Sequence, residues 1–425
     1  MKVKITPQAV DGVQTVRVPP SKSMAHRAII CASLANGVSR IDNIDYSDDI
    51  LATISGMEQL GAVIEKGERS LVIRGISDLH HLQTHRIDCN ESGSTLRFFI
   101  PVFSLSGEQV AFTGRNRLLK RPQGIYETLF HERNLRFDQQ ENEIVVEGCL
   151  PAGRYELDGN VSSQFITGLL FTLPLLKEDS TIVVRPPFES RSYILLTLEV
   201  LAQFGVTAVF KDENTLFIPG NQHYQPRDYT VEGDFSQLAF FAVLGAAGRD
   251  MRCTGMRHDS KQGDKAILEF IKACGGRVTE TEQGYLISKS PLHGATLSIG
   301  DCPDLGPILT VLAMYCNGET IIGDAARLRY KESDRIEAME TELRKLGVTI
   351  HSTENEMVIE GGKAYHGSNE LFGHKDHRIV MSLAIAALCG NFSVTIDGAE
   401  CINKSYPGFF RDLETVGGKV EVLVP

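Results

Sequence analysis

Basic side chains and hydroxyl groups stand together at the start of an apolar helix in the stretch PPSKSMAHRAII (residues 19–30). The first turn of a helix has free backbone N–H groups and the positive end of the helix dipole, so a loop bearing Ser or Gly there is suited to binding an anion. Guanidinium and ammonium groups favour phosphate and carboxylate ligands. The pattern predicts a site for small anions, and cations lie at or near several such loops: Lys22, Arg27, Arg97, Lys120, Arg121, Lys331, Arg335, Arg378 and Lys404.

Two carboxylates near these loops are candidates for acid–base chemistry. Asp304 in CPDLGP opens an apolar helix, where a helix N-cap and a chemical role are both open. Glu332 in RYKESDRIEAMETEL lies between a lysine and the start of a helix, and is placed to act as an acid or base. Ser333 or Asp334 is expected to cap that helix, and Asp334 to be structural.

The histidines indicate structure rather than metal binding. His26 and His377 are expected to orient loops through hydrogen bonds. The cluster HHLQTH (His80, His81 and His85) lacks a cysteine or acidic partner at ligand spacing and is interpreted as a solvated loop. The chain also lacks the phosphate-binding P-loop, the dinucleotide fingerprint, H-E-x-x-H and G-x-S-x-G. We therefore expect no metal.

The elements that must position these residues repeat about every seventy residues. Six segments contain an amphipathic helix, a turn and strands, and we expect left-handed turns at Gly61, Asn134, Gly205, Gly275, Gly347 and Gly417, which are 73, 71, 70, 72 and 70 residues apart. Between them, six polar loops precede helices that are apolar on nearly every side, marked by Ser21, Ser92, Ser162, Asp234, Asp304 and Asp376. A helix that is apolar all round belongs inside a domain, whereas an amphipathic one lies nearer the surface.

This regularity favours an α/β protein of two closed three-repeat domains over an open stack of repeats. The sixth copy has one C-terminal strand, and the N-terminal strands KVKIT and TVRVP are expected to complete it. We therefore predict a first domain at residues 19–229 and a second at residues 1–18 with 230–425. The crossovers are expected near 18–20 and 227–232.

Size and composition narrow the class of protein. The chain has 425 residues and a net charge of −11, which argues against nucleic acid as a partner. No apolar run approaches the ~20 residues of a membrane span, and MKVKITPQAV has no apolar signal core. Nine cysteines are scattered without a C-x-x-C pair, as in a reducing cytoplasm. We expect a cytoplasmic monomer with small-molecule partners and no membrane.

The ordered motifs PPSKSMAHR, ESGSTLR, LLKRP, SSQF, ESRSY, RYKESDRI, KDHR and NKSYPGFF cover essentially the whole chain. In this set the chain resembles the 5-enolpyruvylshikimate-3-phosphate synthase family of enolpyruvyl transferases. The resemblance implies a two-domain inside-out α/β barrel, each domain made of three βαβαββ repeats, with the active site in the interdomain cleft. It also implies a transferase of the shikimate pathway that moves the enolpyruvyl group of phosphoenolpyruvate to the 5-hydroxyl of shikimate 3-phosphate. Phosphate is released through a tetrahedral intermediate, without a metal or other cofactor.

The resemblance also implies site residues, position by position. For shikimate 3-phosphate these are Ser23, Arg27, Ser162, Ser163, Gln164, Ser190, Tyr193, Asp304 and Lys331. For phosphoenolpyruvate they are Lys22, Gly93, Arg121, Gln164, Arg335, Arg378 and Lys404. Asp304 is implied to accept the hydroxyl proton, and Glu332 to exchange a proton with the methylene carbon, assisted by Lys22.

Two positions depart from the family pattern, because Glu91 and Arg327 stand where asparagine is usual. The rival interpretations are a UDP-N-acetylglucosamine enolpyruvyl transferase and an anion-binding protein that kept the fold without catalysis. The first typically has a reactive cysteine where this chain has GRNRLLKRP (114–122), and the second does not need the candidate catalytic residues.

Overall fold

The computed structural model describes residues 1–82, 84–365 and 368–423. Within these residues the chain divides into two compact units. The first unit is Pro20–Val231, and the second unit is Met1–Pro19 together with Glu232–Pro425.

The chain opens with two strands of the second unit, β1 (Lys2–Pro7) and β2 (Gln14–Arg17). The helices of the first unit follow, and they are α1 (Lys22–Leu34), α2 (Asp48–Leu60), α3 (Gly93–Ser104), α4 (Gly124–His131), α5 (Ser163–Thr172) and α6 (Arg191–Gln203). Its strands are β3 (Val38–Asp42), β4 (Val63–Lys66), β5 (Ser70–Arg74), β6 (Arg86–Asp88), β7 (Val110–Thr113), β8 (Arg136–Gln139), β9 (Glu143–Glu147), β10 (Arg154–Asp158), β11 (Ser180–Arg185), β12 (Val209–Phe210), β13 (Thr215–Ile218) and β14 (Asp228–Thr230).

The rest of the second unit has the same composition of elements. Its helices are α7 (Phe235–Val243), α8 (Ala266–Ala273), α9 (Gly306–Met314), α10 (Arg335–Lys345), α11 (His377–Gly390) and α12 (Phe409–Thr415). Its strands are β15 (Met251–Thr254), β16 (Arg277–Thr281), β17 (Gly284–Ser288), β18 (Thr296–Ser298), β19 (Gly318–Gly323), β20 (Thr349–Ser352), β21 (Met357–Gly361), β22 (Glu370–Phe372), β23 (Val394–Asp397) and β24 (Gly418–Leu423).

The described strands form six four-stranded sheets with one topology. The orders in the first unit are β14-β3-β5-β4, β6-β7-β9-β8 and β10-β11-β13-β12, and those in the second unit are β2-β15-β17-β16, β18-β19-β21-β20 and β22-β23-β1-β24. In each sheet the first two strands are parallel and the other pairs are antiparallel. A parallel pair needs a crossover, which a helix provides, so each sheet with its two helices is a βαβαββ repeat.

The N-terminal strands pair differently from the expectation. β1 completes the sixth sheet, between β23 and β24, whereas β2 pairs in parallel with β15 in the fourth sheet. The prediction that both strands complete the sixth repeat is therefore wrong for β2. β14 in turn lies parallel to β3 in the first sheet. The strands that precede α1 and α7 in the chain have thus exchanged sheets.

The apolar helices lie inside each unit, as predicted. Every residue of α7 and α9 is buried, and so are nearly all residues of α1, α3, α5 and α11. The amphipathic helices, such as α2 and α10, bury one face. All six predicted turn residues have a positive φ, from 55° at Asn134 to 118° at Gly61, which confirms the left-handed turns. The architecture is the expected α/β fold of three βαβαββ repeats per unit.

Candidate active site

The entrance of α1 holds a partly buried ion pair in the first unit. Ser21 caps the helix by accepting from the backbone N–H of Met24 at 3.4 Å. Lys22 Nζ lies 2.7 Å from Oδ2 of Asp49, in the first turn of α2. The side chains of Lys22 and Asp49 are 18% and 4% exposed. A carboxylate therefore orients Lys22, which still reaches solvent and can meet an anionic ligand.

Arg27 contacts two other predicted residues, Ser23 and Tyr193, and also Thr197, which was not predicted. Its Nε donates to Thr197 Oγ1 (2.8 Å), Nη1 to the backbone oxygen of Ser23 (2.6 Å) and Nη2 to that of Tyr193 (3.2 Å). A guanidinium has five N–H groups, so one remains on each terminal nitrogen for a ligand. Burial lowers the pKa of Arg27 to about 10, which leaves it a cation at neutral pH.

Gly93 and Arg121 are direct neighbours at the entrance of α3. Ser92 caps this helix through the backbone N–H of Thr95 (3.1 Å). A Cβ atom placed on Gly93 would lie 2.7 Å from Nη1 of Arg121. Glycine at this position therefore lets the guanidinium approach the free N–H groups of the helix, and the two together form a concentrated positive potential.

Gln164 is fixed between two helix entrances. Its Oε1 accepts from Arg97 Nη1 (2.8 Å) and its Nε2 donates to Ser94 Oγ (3.0 Å), both on α3, while Ser162 caps α5 through the Gln164 N–H (3.3 Å). Arg97 also donates to the backbone oxygen of Pro122 at 3.0 Å. Arg97 therefore positions Gln164, which the sequence alone did not indicate.

The two remaining predicted serine ligands of the first unit lie at the starts of two helices. Ser163 is the first residue of α5, and Ser190 directly precedes α6. Ser190 is fully buried and has φ = 53°, a left-handed conformation that serine rarely adopts. Such strain is concentrated at functional sites.

His26 takes part in a buried chain of hydrogen bonds, as expected of a structural residue. Its Nδ1 lies 2.7 Å from Thr53 Oγ1, which lies 2.7 Å from Thr95 Oγ1, which in turn donates to Ser92 Oγ at 2.7 Å. The chain links α1 and α2 to the cap of α3. Burial lowers the pKa of His26 to about 3, so the ring stays neutral.

In the second unit, Arg335 is the centre of a charged cluster. Its side chain is 1% exposed and contacts three carboxylates: Nε and Nη2 reach Asp376 (2.8 and 3.3 Å), Nη1 reaches Asp304 (3.0 Å) and Nη2 reaches Glu332 (2.8 Å). These carboxylates strongly stabilise the cation, and although burial lowers the pKa of Arg335, their charges raise it above its usual value. Asp376 is fully buried and also caps α11 through the Arg378 N–H at 2.9 Å.

Asp304 differs from the other five loop markers. Ser21, Ser92, Ser162, Asp234 and Asp376 each cap a helix with their side chain. The carboxylate of Asp304 instead accepts from Lys331 (3.2 Å), Arg335 (3.0 Å) and Arg378 (2.9 Å). A chemical role is therefore favoured over an N-cap. Burial raises the pKa of Asp304, but Arg378, Lys331 and Arg335 outweigh burial and hold it well below its usual value.

Glu332 lies in the same cluster. It receives Arg335 at 2.8 Å, and Lys404 Nζ lies 3.4 Å from its other oxygen. The side chains of Glu332 and Lys404 are 11% and 6% exposed. Asp334, as predicted, caps α10 through the Glu337 N–H (3.0 Å) and has no part in this cluster.

Lys331 is a perturbed lysine at the edge of the cluster. Burial lowers its pKa to about 8; Asp304 opposes this shift, and the positive charges of Arg327 and Arg335 add to it. Arg327, one of the two departures from the family pattern, is 9% exposed, and its positive charge acts on Lys331. The other departure, Glu91, hydrogen-bonds to Asn116.

Comparison with known proteins decides the family. The family model described as EPSP synthase (3-phosphoshikimate 1-carboxyvinyltransferase) matches residues 6–413. A Clostridium perfringens protein named 3-phosphoshikimate 1-carboxyvinyltransferase is 46% identical over 420 residues, which cover 98% of both chains. A protein of that name from Clostridioides difficile is 43% identical over 431 residues, covering 99% of this chain and 98% of the relative. The chain belongs to the EPSP synthase family.

Solved structures agree on the fold. The EPSP synthase from Acinetobacter baumannii matches with a TM-score of 0.80 and 23% identity, covering 99% of this chain and 100% of that one. The enolpyruvyl transferase NikO from Streptomyces tendae matches with a TM-score of 0.81 and 15% identity, covering 99% of this chain and 98% of that one. Identities this low show the shared fold of the family and no more.

Membership in the EPSP synthase family confirms the predicted resemblance. It also confirms the prediction that the chain is a transferase. The rival UDP-N-acetylglucosamine enolpyruvyl transferase is not favoured.

His81 and His85 are 84% and 60% exposed beside Glu108, as expected of a solvated loop. In the described part of the chain, no three or more His, Cys, Asp or Glu side chains are grouped so that they could hold a metal ion. No helix among those residues is long and apolar enough to span a membrane.

Sequence reasoning missed two carboxylate partners of the site, Asp49 and Asp376, and it named Arg97 as a cation near the loops without its contact to Gln164. Asp49 had a usable signal, because it follows Lys22 by 27 residues, the spacing that also separates Asp304 and Lys331. Asp376 was noted only as a repeat marker, and its contact with Arg335 spans 41 residues.

Proposed function

We propose that this chain transfers the enolpyruvyl group of phosphoenolpyruvate to the 5-hydroxyl of shikimate 3-phosphate and releases phosphate, a step of aromatic amino-acid biosynthesis in the shikimate pathway. Family membership supports this reaction. The observation that carries the proposal is the placement of Asp304, an ionised carboxylate held by three cations and freed from helix capping.

For shikimate 3-phosphate, the proposed ligands in the first unit are Ser23, Arg27, Ser162, Ser163, Gln164, Ser190 and Tyr193. Arg27 supports this assignment, because one N–H group remains on each of its terminal nitrogens and guanidinium groups favour carboxylate and phosphate ligands. In the second unit the proposed ligands are Asp304 and Lys331, which lie 3.2 Å apart.

For phosphoenolpyruvate, the proposed ligands are Lys22, Gly93, Arg121, Gln164, Arg335, Arg378 and Lys404. Gly93 and Arg121 support this assignment, because backbone N–H groups and a guanidinium meet where no side chain intervenes. Arg378 and Lys404 are each less than a tenth exposed, so a bound anion meets them in a largely dry environment where charge attraction is strong.

In the proposed chemistry, the oxygen of the 5-hydroxyl attacks C2 of phosphoenolpyruvate while Asp304 takes the proton of that hydroxyl. Glu332, assisted by Lys22, delivers a proton to the methylene carbon, which gives the tetrahedral intermediate. Phosphate then leaves C2, a methyl proton returns to Glu332, and Asp304 gives up its proton to the departing phosphate or to solvent, which forms the product and restores both carboxyl groups. The three cations that hold Asp304 make it a weak base. Anionic substrates compete for those cations. When a cation binds the substrate instead of Asp304, the charged form of Asp304 loses a partner, and its pKa rises toward the ordinary value.

The deciding assay is release of phosphate from phosphoenolpyruvate, with shikimate 3-phosphate and UDP-N-acetylglucosamine offered as alternative acceptors. We expect release with the first acceptor only, and its absence would refute the proposal. Lys22→Ala should abolish turnover and leave the folded circular dichroism spectrum unchanged.

We also propose where this protein is located in the cell and how it is assembled. We place it in the cytoplasm as a monomer without nucleic-acid or membrane partners, with domain limits at 19–229 and at 1–18 with 230–425. Nine free cysteines and the charge of −11 support this placement. Sedimentation velocity would reveal a dimer, and cell fractionation would reveal a membrane-bound pool.

A further inference from the structure

The turn that leads into α11 has an unusual backbone. The N–H of Asp376 donates to the backbone oxygen of Gly373 at 2.9 Å, which closes a four-residue turn. Both central residues are left-handed, with φ = 51° at His374 and φ = 55° at Lys375. Turns with two positive φ angles favour Gly, Asn and Asp, because other side chains meet steric resistance there. The segment therefore stores strain that the surrounding structure has to offset.

A buried carboxylate on α10 faces this turn. Glu342 is 1% exposed, and it accepts from the His374 ring Nε2 at 2.8 Å and from the Phe372 backbone N–H at 3.0 Å. Lys345 Nζ bonds the same carboxylate at 2.8 Å, from a side chain that is 37% exposed. Burial raises the pKa of Glu342, but the bonds from His374, Lys345 and Phe372 outweigh burial and lower it, so the group is charged.

The same helix holds the turn at a second point. Arg335, at the start of α10, binds Asp376 at 2.8 Å. Arg335 and Glu342 are seven residues apart, which is about two helical turns, so they lie on one face of α10. Immediately after the turn, Arg378 donates to Asp304 at 2.9 Å. The path of the turn thus decides where Asp376 and Arg378 lie in the charged cluster.

We propose that the hydrogen bond between Glu342 and His374 is a positioning contact. It holds the left-handed turn at residues 374–375 and thereby places Arg378 to bind phosphoenolpyruvate. The role of Arg378 rests on the proposed function. Neither Glu342 nor His374 touches the reacting groups in this scheme, and both act through Asp376 and Arg378.

Three single variants and one double variant test the contact. Glu342→Gln and His374→Ala should each raise KM for phosphoenolpyruvate about tenfold, since small misplacements of binding groups are costly, with a much smaller change in kcat. Lys345→Ala is the matched control, because it removes a bond to the same carboxylate without touching the turn, and its KM should not change. The double variant His374→Ala/Lys375→Gly should recover much of the lost affinity, since glycine accepts the left-handed conformation without strain.

A second readout does not depend on activity. Amide hydrogen exchange of residues 372–378 should be faster in Glu342→Gln and His374→Ala than in the wild type, and slower again in the double variant. If Glu342→Gln and His374→Ala fold and leave both the exchange rate and KM unchanged, the positioning role is overturned. It is also overturned if Lys345→Ala changes exchange and KM as much as they do. If Glu342→Gln does not fold, His374→Ala still tests the positioning role, because His374 is partly exposed and its removal is less disruptive. Absence of phosphate release by the wild type would refute the proposed function instead, and exchange alone would then judge the contact.

Discussion

The first and fifth repeats contain ion pairs of opposite polarity at the same spacing. In the first repeat Lys22 at the entrance of α1 binds Asp49, and in the fifth repeat Asp304 before α9 binds Lys331, each pair 27 residues apart. In the first pair, Lys22 Nζ lies 2.7 Å from Oδ2 of Asp49. The second is one edge of a cluster in which Asp304 also binds Arg335 and Arg378.

This difference separates two ways of preparing an anion site. The first unit offers hydroxyl groups and helix N-termini, and neutral oxygens hold its Arg27, so little has to change at Arg27 when a ligand binds. In the second unit the cations already have carboxylate partners, and an anion has to compete with them. We therefore expect changes in the second unit to affect both stability and chemistry, and changes in the first unit, apart from Lys22, to affect mainly binding.

The largest effect is expected for Arg335→Ala. This change leaves Asp304, Glu332 and Asp376 without their shared cation, and removal of one partner from a buried ion pair destabilises proteins by about 3–5 kcal/mol. Urea unfolding should show the loss, and turnover should be undetectable. Arg411→Ala removes a guanidinium that is 75% exposed and should change neither quantity. A stable, active Arg335→Ala protein would mean that the cluster is not coupled as the structure indicates.

Asp304→Asn tests the exception among the loop markers. Asparagine keeps the shape but cannot take a proton, so kcat should fall by about 10²–10⁴, the usual range for a general base. Asp234→Asn, at the equivalent position of the fourth repeat, is the matched control because asparagine caps a helix as well as aspartate does. Steady-state phosphate release measures both. Equal losses in the two variants would argue that Asp304 is only a structural residue.

The sequence predicted what depends on local pattern. The period near seventy residues gave the buried helices and left-handed turns such as Gly61 and Asn134, because apolar periodicity and glycine or asparagine act within a few residues. The exchange of β2 and β14 between sheets was not predictable, since short strands choose partners by tertiary packing.

The same limit holds for the site. The sequence located the cations but not their partners, because the bond from Arg378 to Asp304 spans 74 residues. It also did not indicate that Asp304 alone among the six markers makes no cap, since all six precede a helix in a similar way. Only the folded arrangement of neighbouring repeats decides which carboxylate meets a cation and which one caps a helix.

Gly93→Ala should affect binding in the first unit and little else. The added methyl group would lie 2.7 Å from Nη1 of Arg121, which is the end of a flexible side chain, so the guanidinium moves and the fold remains. We expect KM for phosphoenolpyruvate to rise about tenfold, the cost of a modest misplacement. The melting temperature should stay within about 2 °C of the wild type. A melting temperature that falls sharply would place this glycine in the packing of α3 instead.

The smallest effect concerns pH and the edge of the charged cluster. Burial lowers the pKa of Lys331 to about 8, so the side chain is a cation below pH 8 and becomes neutral above it. KM for shikimate 3-phosphate should therefore rise a few-fold between pH 7.5 and 9.5, because the neutral amine no longer attracts a phosphate, and bound phosphate shifts the inflection upward. In Lys331→Arg the guanidinium stays charged over this range, so KM should be independent of pH. His26, with a pKa of about 3, adds no inflection in the same window. A wild-type profile that is flat to pH 9.5 would show that Asp304 outweighs burial and the positive charges of Arg327 and Arg335, so that Lys331 stays charged over this range.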